Sequence, residues 1–196
     1  ATLAVAGLVV LALWLVRGPD ALLKLRIPGT DVPPGMEALA TGNPVPAGKL
    51  TKGDGQPADL PGAWASFRGP NRDGISAESK LARLWEGAPR ELWSVDLGEG
   101  YAAAAVLNGR VYVMDYDAAQ KQDALRCLSL AAGKEIWRFA YPLRVKRNHG
   151  MSRTMPAVTE KFVVAMGPKC HVVCLDATTG EMRWNLDLVN QFGTGV

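Results

Sequence analysis

Two stretches of the chain decide the fold: residues 125–139 read LRCLSLAAGKEIWRF, and residues 172–186 read VVCLDATTGEMRWNL. They match at four positions with one constant offset of 47 residues: Cys127 with Cys174, Leu128 with Leu175, Gly133 with Gly180, and Trp137 with Trp184. One shared residue would carry little weight. Four at the same offset indicate an internal repeat.

Each copy of the repeat has the pattern of four short antiparallel strands. An apolar run leads into a turn that contains glycine, and the strand after the turn carries the tryptophan. Another strand pair lies upstream, at residues 102–106 and 110–114 in the first copy and at 155–158 and 162–166 in the second. A repeat of this length is near that of a propeller blade, and the apolar spacing of a helical solenoid is absent. The sequence therefore predicts an all-β fold, a partial β-propeller with two blades.

A third, partial match surrounds Trp93, at residues 90–97, but no strand trio of its own precedes it. We interpret it as a closing strand that completes the last blade of a ring, because closure removes exposed sheet edges. Propellers typically have about four to eight blades, so two cannot close. The absence of an initiator Met points the same way, and we expect the chain to be a fragment of a longer protein.

The first sixteen residues, ATLAVAGLVVLALWLV, carry no charge. A transmembrane helix needs about 20 apolar residues, so this run predicts a truncated transmembrane anchor at 1–16, with Trp14 near the interface and Arg17 ending it. The alternative is the apolar part of a cleaved signal peptide, although no small-residue cleavage site comes after it. The cations after the run would by themselves favour a cytoplasmic location for the rest of the chain, but long domains are translocated largely regardless of such charges.

Residues 17–63 are predicted to be a Pro/Gly-rich linker, because Pro33, Pro34, Pro44 and other prolines exclude a long helix. Its last part, residues 48–62, is expected to be disordered. Residues 64–196 are predicted to hold a lead-in segment, residues 64–76, and the first blades. The lead-in segment combines two aromatic side chains with many turn residues. Its Arg68, Arg72 and Asp73 suggest either a polar binding site or, as we prefer, a cap over a propeller edge.

The pattern L-x-x-L-x-x-x-x-G-K/E-x-x-W resembles the pyrroloquinoline-quinone-like (PQQ-like) propeller repeat. That repeat occurs in quinoprotein dehydrogenases and in non-enzymatic scaffolds such as the propeller lipoprotein of the bacterial outer-membrane assembly machinery. The W-x-x-F-R-G-P-N-R-D-G motif of the lead-in segment is similar to that of membrane-anchored bacterial members. The resemblance implies that Trp93, Trp137 and Trp184 dock between neighbouring blades and act in packing. It specifies the fold more than the activity, since one architecture serves many functions.

The three cysteines do not form a recognisable cofactor or metal site. The dehydrogenase branch of the resembled family would have adjacent cysteines and often a C-x-x-C-H motif, and the chain has neither. Cys170 and Cys174 would lie about 13 Å apart on one strand, too far for a disulfide. Cys127 and Cys174 are expected to be small buried hydrophobic residues. We therefore assign no catalytic, cofactor-binding or metal-binding residues; Asp115, Asp117 and Asp123 lack calcium-loop spacing and are interpreted as a solvated loop.

The connection between the two copies, residues 143–153, is basic: it carries Arg144, Lys146, Arg147, His149 and Arg153. Blade-connecting loops form the faces on which propellers bind, so a small anionic ligand or an acidic protein partner could bind here. The alternative is a solvated connection without a ligand. His149 and Ser152 lack an orienting acid and form no catalytic triad. A net charge of +3 is too small to indicate nucleic acid.

We predict a membrane-tethered, extracytoplasmic PQQ-like propeller that acts as a non-enzymatic binding or scaffold module and needs no cofactor. One alternative is the N-terminal part of a quinoprotein oxidoreductase, whose PQQ site would lie in further blades. Another is a sensor domain joined across the membrane to a signalling module. Adjacent cysteines or a C-x-x-C-H motif in the longer protein would favour the oxidoreductase.

Overall fold

The computed structural model describes residues 2–17, 47–76, 84, 87–145 and 151–192. The chain divides into two compact units, Ala1–Ala40 and Thr41–Val196. In the first unit, α1 (Thr2–Arg17) is a 16-residue helix. Its large apolar side chains are exposed, by 48% at Leu13 and 85% at Val16.

The predicted transmembrane helix is not supported. Among the described residues, no helix is both long enough and apolar enough to cross a membrane.

The second unit is built from antiparallel strands, as the repeat predicts. In chain order these are β1 (Lys49–Lys52), β2 (Ala105–Leu107), β3 (Arg110–Asp117), β4 (Gln122–Ser129), β5 (Glu135–Pro142), β6 (Ala157–Val158), β7 (Phe162–Met166), β8 (His171–Asp176) and β9 (Met182–Asp187), followed by the short helix α2 (Leu188–Phe192). The first sheet has the order β1-β5-β4-β3-β2, and the second has the order β6-β7-β8-β9. The prediction of four strands in each copy of the repeat is confirmed.

Equivalent residues are paired in the same way in the two sheets. Cys127 lies opposite Trp137 in the first sheet, and Cys174 lies opposite Trp184 in the second. Both strand pairs shift register directly after the cysteine. Gly133 and Gly180 end the turns with φ of 66° and 75°, a backbone conformation that glycine adopts without steric cost. The 47-residue offset therefore reflects one local structure built twice.

Strand β1 was not anticipated. It lies inside the range predicted to be a linker, and it pairs antiparallel with β5, with Lys49 opposite Ala140 and Lys52 opposite Trp137. The N–H groups of Gly53 and Gly55 continue the contact by donating to carbonyls of Ile136 and Glu135. The disorder expected for this part of the linker is therefore wrong. A neighbouring strand satisfies its backbone, which the local composition does not reveal.

The lead-in segment lies against the opposite edge of the first sheet. Trp64 and Val106 of β2 exchange two backbone hydrogen bonds of 2.8 and 3.0 Å, and the N–H of Val158 in β6 donates to the carbonyl of Ala65. This segment thus connects the first repeat strands of both sheets, which agrees with a cap over a sheet edge. A continuous apolar core fills the space between the sheets, and it includes Trp137, Leu125, Val163 and Leu175.

Candidate functional site

The two sheets are joined around the carbonyl group of Ala177, directly after β8. The indole N–H of Trp137 and the hydroxyl of Tyr112 both donate to this oxygen, at 3.3 and 3.0 Å. The two aromatic rings lie 6.0 Å apart. Trp137 is fully buried, and its ring lies directly over Gly180. Trp137 of the first sheet therefore packs on the turn that contains Gly180 in the second sheet, and this contact holds the two sheets together.

Trp93 makes the same contact one repeat earlier. Its indole N–H donates to the carbonyl of Leu130 at 2.9 Å, and its ring lies over Gly133. Leu130 and Ala177 are 47 residues apart, as are Gly133 and Gly180. The docking between neighbouring blades that the family resemblance implies is thus present for Trp137, which joins the two sheets. Trp93 makes the equivalent contact with the first sheet. Trp184 is 45% exposed and makes no such contact among the described residues.

The segment around Trp93 differs from its prediction in one respect. Residues 90–97, interpreted as a closing strand, form no strand. No strand among the described residues offers backbone partners to this segment. Side-chain contacts with the first sheet hold it instead.

Those contacts include a buried charge network on β3, β4 and β5. The Arg126 guanidinium donates to Asp115 at 3.1 Å, to Glu135 at 2.7 Å and to the backbone carbonyl of Asp96 at 3.1 Å. Arg138 adds longer contacts to the same two carboxylates. The N–H of Gly98 donates to Asp115 at 2.6 Å. The network therefore attaches residues 96–98 to the first sheet, and its charged groups are committed to one another.

The interpretation of Asp115, Asp117 and Asp123 as a solvated loop is correct only for Asp117. Asp117 accepts hydrogen bonds from the N–H groups of Ala119 and Gln120 and so stabilises the turn between β3 and β4. Asp115 and Asp123 are buried, because β3 and β4 are each eight residues long and extend through the polar sequence. Within the described residues, no group of three or more His, Cys, Asp or Glu side chains could hold a metal ion.

Asp123 is the centre of a buried polar group that we call the Asp123 cluster: Asp123, Tyr141 and Ser152. The Tyr141 hydroxyl donates to one carboxylate oxygen at 2.7 Å, and the Ser152 hydroxyl donates to the other at 3.2 Å. Burial raises the pKa of Asp123 to about 6, although both hydroxyl donors oppose the shift. Nothing in the sequence signalled this cluster, because its members come from β4, β5 and the connection between the sheets.

A second buried pair lies beside the cluster. His171 packs edge-on against Tyr141, with ring centroids 5.8 Å apart. Its Nε2 lies 3.3 Å from a carboxylate oxygen of Asp187, and its Nδ1 is buried with no hydrogen-bond partner among the described residues. Polar contacts therefore extend from the first sheet into β8 and β9 of the second.

The predicted burial of Cys127 and Cys174 is confirmed. Cys127 and Cys174 are buried and unpaired, and Cys170 is half-buried and unpaired. Burial raises the pKa of the Cys127 thiol to about 12 and also raises that of Cys174. Thiols held protonated in this way are poor nucleophiles and poor metal ligands.

A cleft of about 400 Å³ opens next to the Asp123 cluster, on the face that carries the β3–β4 turn. Its floor includes the buried residues Tyr116 and Met151, and its rim carries Lys121 and Arg144 with Glu99. Neither Lys121 nor Arg144 makes an ion pair with a described carboxylate. Of the basic connection, only Arg144 is found in the cleft; Arg153 is exposed elsewhere, and Lys146, Arg147 and His149 lie outside the described residues.

A comparison with protein-family models identifies the repeat. The model described as outer membrane protein assembly factor BamB matches residues 120–195. These residues are a PQQ-like repeat region. The match includes the two 15-residue stretches that show the 47-residue offset, and the two antiparallel sheets are consistent with partial PQQ-like propeller blades.

Solved structures that resemble the chain cover only part of it. The crystal structure of BamB from Moraxella catarrhalis has 21% sequence identity and a TM-score of 0.31, over 42% of this chain and 23% of its own. A europium-containing methanol dehydrogenase has 16% identity and a TM-score of 0.29, over 43% of this chain and 15% of its own. No curated protein matches. The assignment of the PQQ-like repeat therefore rests on the family model and on the repeat within the chain.

Proposed function

We propose that this chain is part of a PQQ-like β-propeller that serves as a non-enzymatic binding or scaffold module. The observation that carries the proposal is the cleft, where Lys121, Arg144 and Glu99 flank an apolar floor and neither cation has a described carboxylate partner. Two cations beside buried apolar side chains favour an acidic segment of a protein partner that also carries an apolar residue. The repeated geometry of Trp93 and Trp137 supports a packing role for these residues.

A binding experiment tests this proposal. The full chain is titrated with a short peptide of alternating glutamate and leucine, and with the same peptide carrying glutamine for glutamate. Binding should be at least about tenfold tighter for the acidic peptide and should weaken with salt, because exposed charges are screened. K121E and R144E should each reduce affinity about tenfold. The matched control is R153E, an exposed cation outside the cleft, which should bind like the parent. Equal affinities for the two peptides would refute the proposal.

A quinoprotein oxidoreductase is the second candidate, because the PQQ-like repeat occurs in both kinds of protein. The longer protein, supplied with the quinone, would then show quinone absorbance and reduce a dye in the presence of alcohols or sugars. Dye reduction that depends on the quinone would replace the scaffold proposal. A protein that binds the acidic peptide and reduces no dye would support the scaffold.

We further propose that the protein is extracytoplasmic and is held at a membrane surface through α1. The exposed apolar side chains of α1 support attachment, and the location is proposed from the family resemblance. Sedimentation with neutral lipid vesicles tests the attachment. L11K, which places a charge on α1 where Leu11 is 50% exposed, should reduce the bound fraction severalfold. L60K, at a residue 48% exposed outside α1, should not. Equal effects of the two variants would exclude α1 as the attachment site.

A further inference from the structure

The Asp123 carboxyl group is buried among neutral hydrogen-bond donors, without a described cation as a partner. It is fully inaccessible to solvent, and the described side-chain groups that donate to it are the hydroxyls of Tyr141 and Ser152. No described cation pairs with it. Gly167, directly after β7, covers it so closely that a β-carbon there would lie 2.5 Å from a carboxylate oxygen. An ionised Asp123 in this position would have lost its hydration and would have no counter-ion, so its burial would cost free energy.

The elements packed around the carboxyl group bring neutral, acidic and basic side chains near it, and none of the described cations pairs with it. Tyr116 of β3 and Tyr141 of β5 lie opposite Asp123 in the two neighbouring strands. The negative charge of Asp115 on β3 also raises the pKa of Asp123. His171 of β8 and Asp187 of β9 lie beyond Tyr141, where they contact each other. The positive charge of Arg126, also on β4, is committed to Asp115 and Glu135.

We propose that gain and loss of one proton by Asp123 controls how firmly the connection around Ser152 is held between the two sheets. When Asp123 is protonated, the cluster is neutral and compatible with its dry surroundings. When Asp123 is ionised, the charge is stabilised by opening the contact and admitting water. The pKa of Asp123 is raised by burial from 3.8 to about 6, which places this transition at mildly acidic pH and makes it complete at neutral pH.

The connection around Ser152 also forms part of the cleft. Met151, directly before Ser152, contributes to the cleft floor, as does Tyr116. The N–H of Tyr101 donates to the Ser152 carbonyl at 3.2 Å, and Gly100 lies against the same residue. Opening at Ser152 would therefore displace Met151 and residues 99–101 together. This opening needs no ligand and is independent of the proposed binding function.

Hydrogen exchange measured by mass spectrometry on the full chain tests this inference directly. Peptides that cover residues 151–155 and 100–104 are followed between pH 5 and pH 8, with each rate divided by the intrinsic rate at that pH. Opening should become about tenfold more favourable over this range, because a proton bound in the closed state is lost on opening. A peptide from β7 should show no such change. Equal profiles in β7 and around Ser152 would overturn the inference.

Two variants assign the effect to Asp123. D123N cannot ionise, so its exchange around Ser152 should not change with pH after normalisation. A D123N protein that keeps the parent profile would contradict the assignment. If D123N does not fold, Y141F serves instead: it removes a donor that stabilises the ionised form, so the midpoint of the transition should move to higher pH. A general packing defect would raise exchange by the same factor at every pH without moving the midpoint, and an unmoved midpoint would also overturn the inference.

Discussion

The indole ring of Trp137 lies so close to Gly180 that a β-carbon at this glycine would come within 2.7 Å of the ring. Gly180 also has a φ of +75°, so two separate constraints disfavour any other residue. The same pair of constraints applies to Trp93 and Gly133. Tryptophan and glycine thus form one unit of packing, although they lie far apart in the chain and, for Trp137, on different sheets.

The variant G180A should destabilise the fold by about 2–4 kcal/mol, since it adds overpacking to an unfavourable backbone conformation. Gly74 gives a matched control: its φ is +79°, but the nearest atoms to an added β-carbon are 3.7 Å away on the Arg68 side chain. G74A should therefore cost about 1 kcal/mol from the backbone alone. Denaturant unfolding of both variants measures the difference, and equal losses would show that the Trp137 contact is unimportant.

The two repeat tryptophans should differ in their contribution to stability. W137F removes a hydrogen bond and part of a ring from a fully buried position, and we expect a loss of about 1–3 kcal/mol. W184F alters a ring that is 45% exposed and should cost less than about 1 kcal/mol. Thermal or denaturant unfolding of this chain makes the comparison. A larger loss for W184F than for W137F would contradict the prediction.

Removal of the Arg126 charge should be strongly destabilising. In R126M the nearly buried carboxylate of Asp115 would lose its closest charged partner, and such a loss typically costs about 3–5 kcal/mol. The matched control is K134M, which breaks an ion pair with Asp54 in which both side chains are largely exposed. That variant should unfold like the parent, because exposed ion pairs contribute little. Similar losses for the two variants would argue against a structural role of the buried network.

Asp123 should make the protein less stable at neutral pH than at mildly acidic pH. Its pKa in the folded state, about 6, lies above the ordinary value of 3.8, so the folded state binds more protons than the unfolded state between these values. Its contribution to stability therefore declines as pH rises from about 4 to 6 and stays constant above. D123N should abolish about 1–2 kcal/mol of this decline between pH 5 and pH 8. Unfolding free energies of the parent and D123N across this range check the result; parallel pH profiles would contradict it.

The repeat made most of the second unit predictable from sequence. Cys127, Gly133 and Trp137 recur at one offset because each occupies a position that both sheets build in the same way. Strand β1 escaped prediction because KLTK has no periodicity of its own and its partner β5 lies far along the chain. Local pattern cannot report a strand that is defined by a distant neighbour.

The polar clusters were missed for a related reason. Asp115 and Asp123 stand in a polar stretch, DYDAAQKQD, that is typical of a solvated loop. Their burial depends on Arg126 in one case and on Tyr141 and Ser152 in the other. Those partners come from other strands and from the connection, so only the folded structure brings them within hydrogen-bond distance.

Strand β1 has a consequence for folding during synthesis. Lys49–Lys52 leaves the ribosome well before Glu135–Pro142, its partner in the first sheet. Until that partner emerges, the backbone N–H and C=O groups of β1 can form hydrogen bonds only with water. Pairings between distant parts of a chain form slowly. An unpaired strand such as β1 can meanwhile pair with other strands and cause misfolding or aggregation. The first sheet can therefore be completed only after β5 has been translated. Slow translation between β1 and β5 would lengthen the time during which β1 is unpaired.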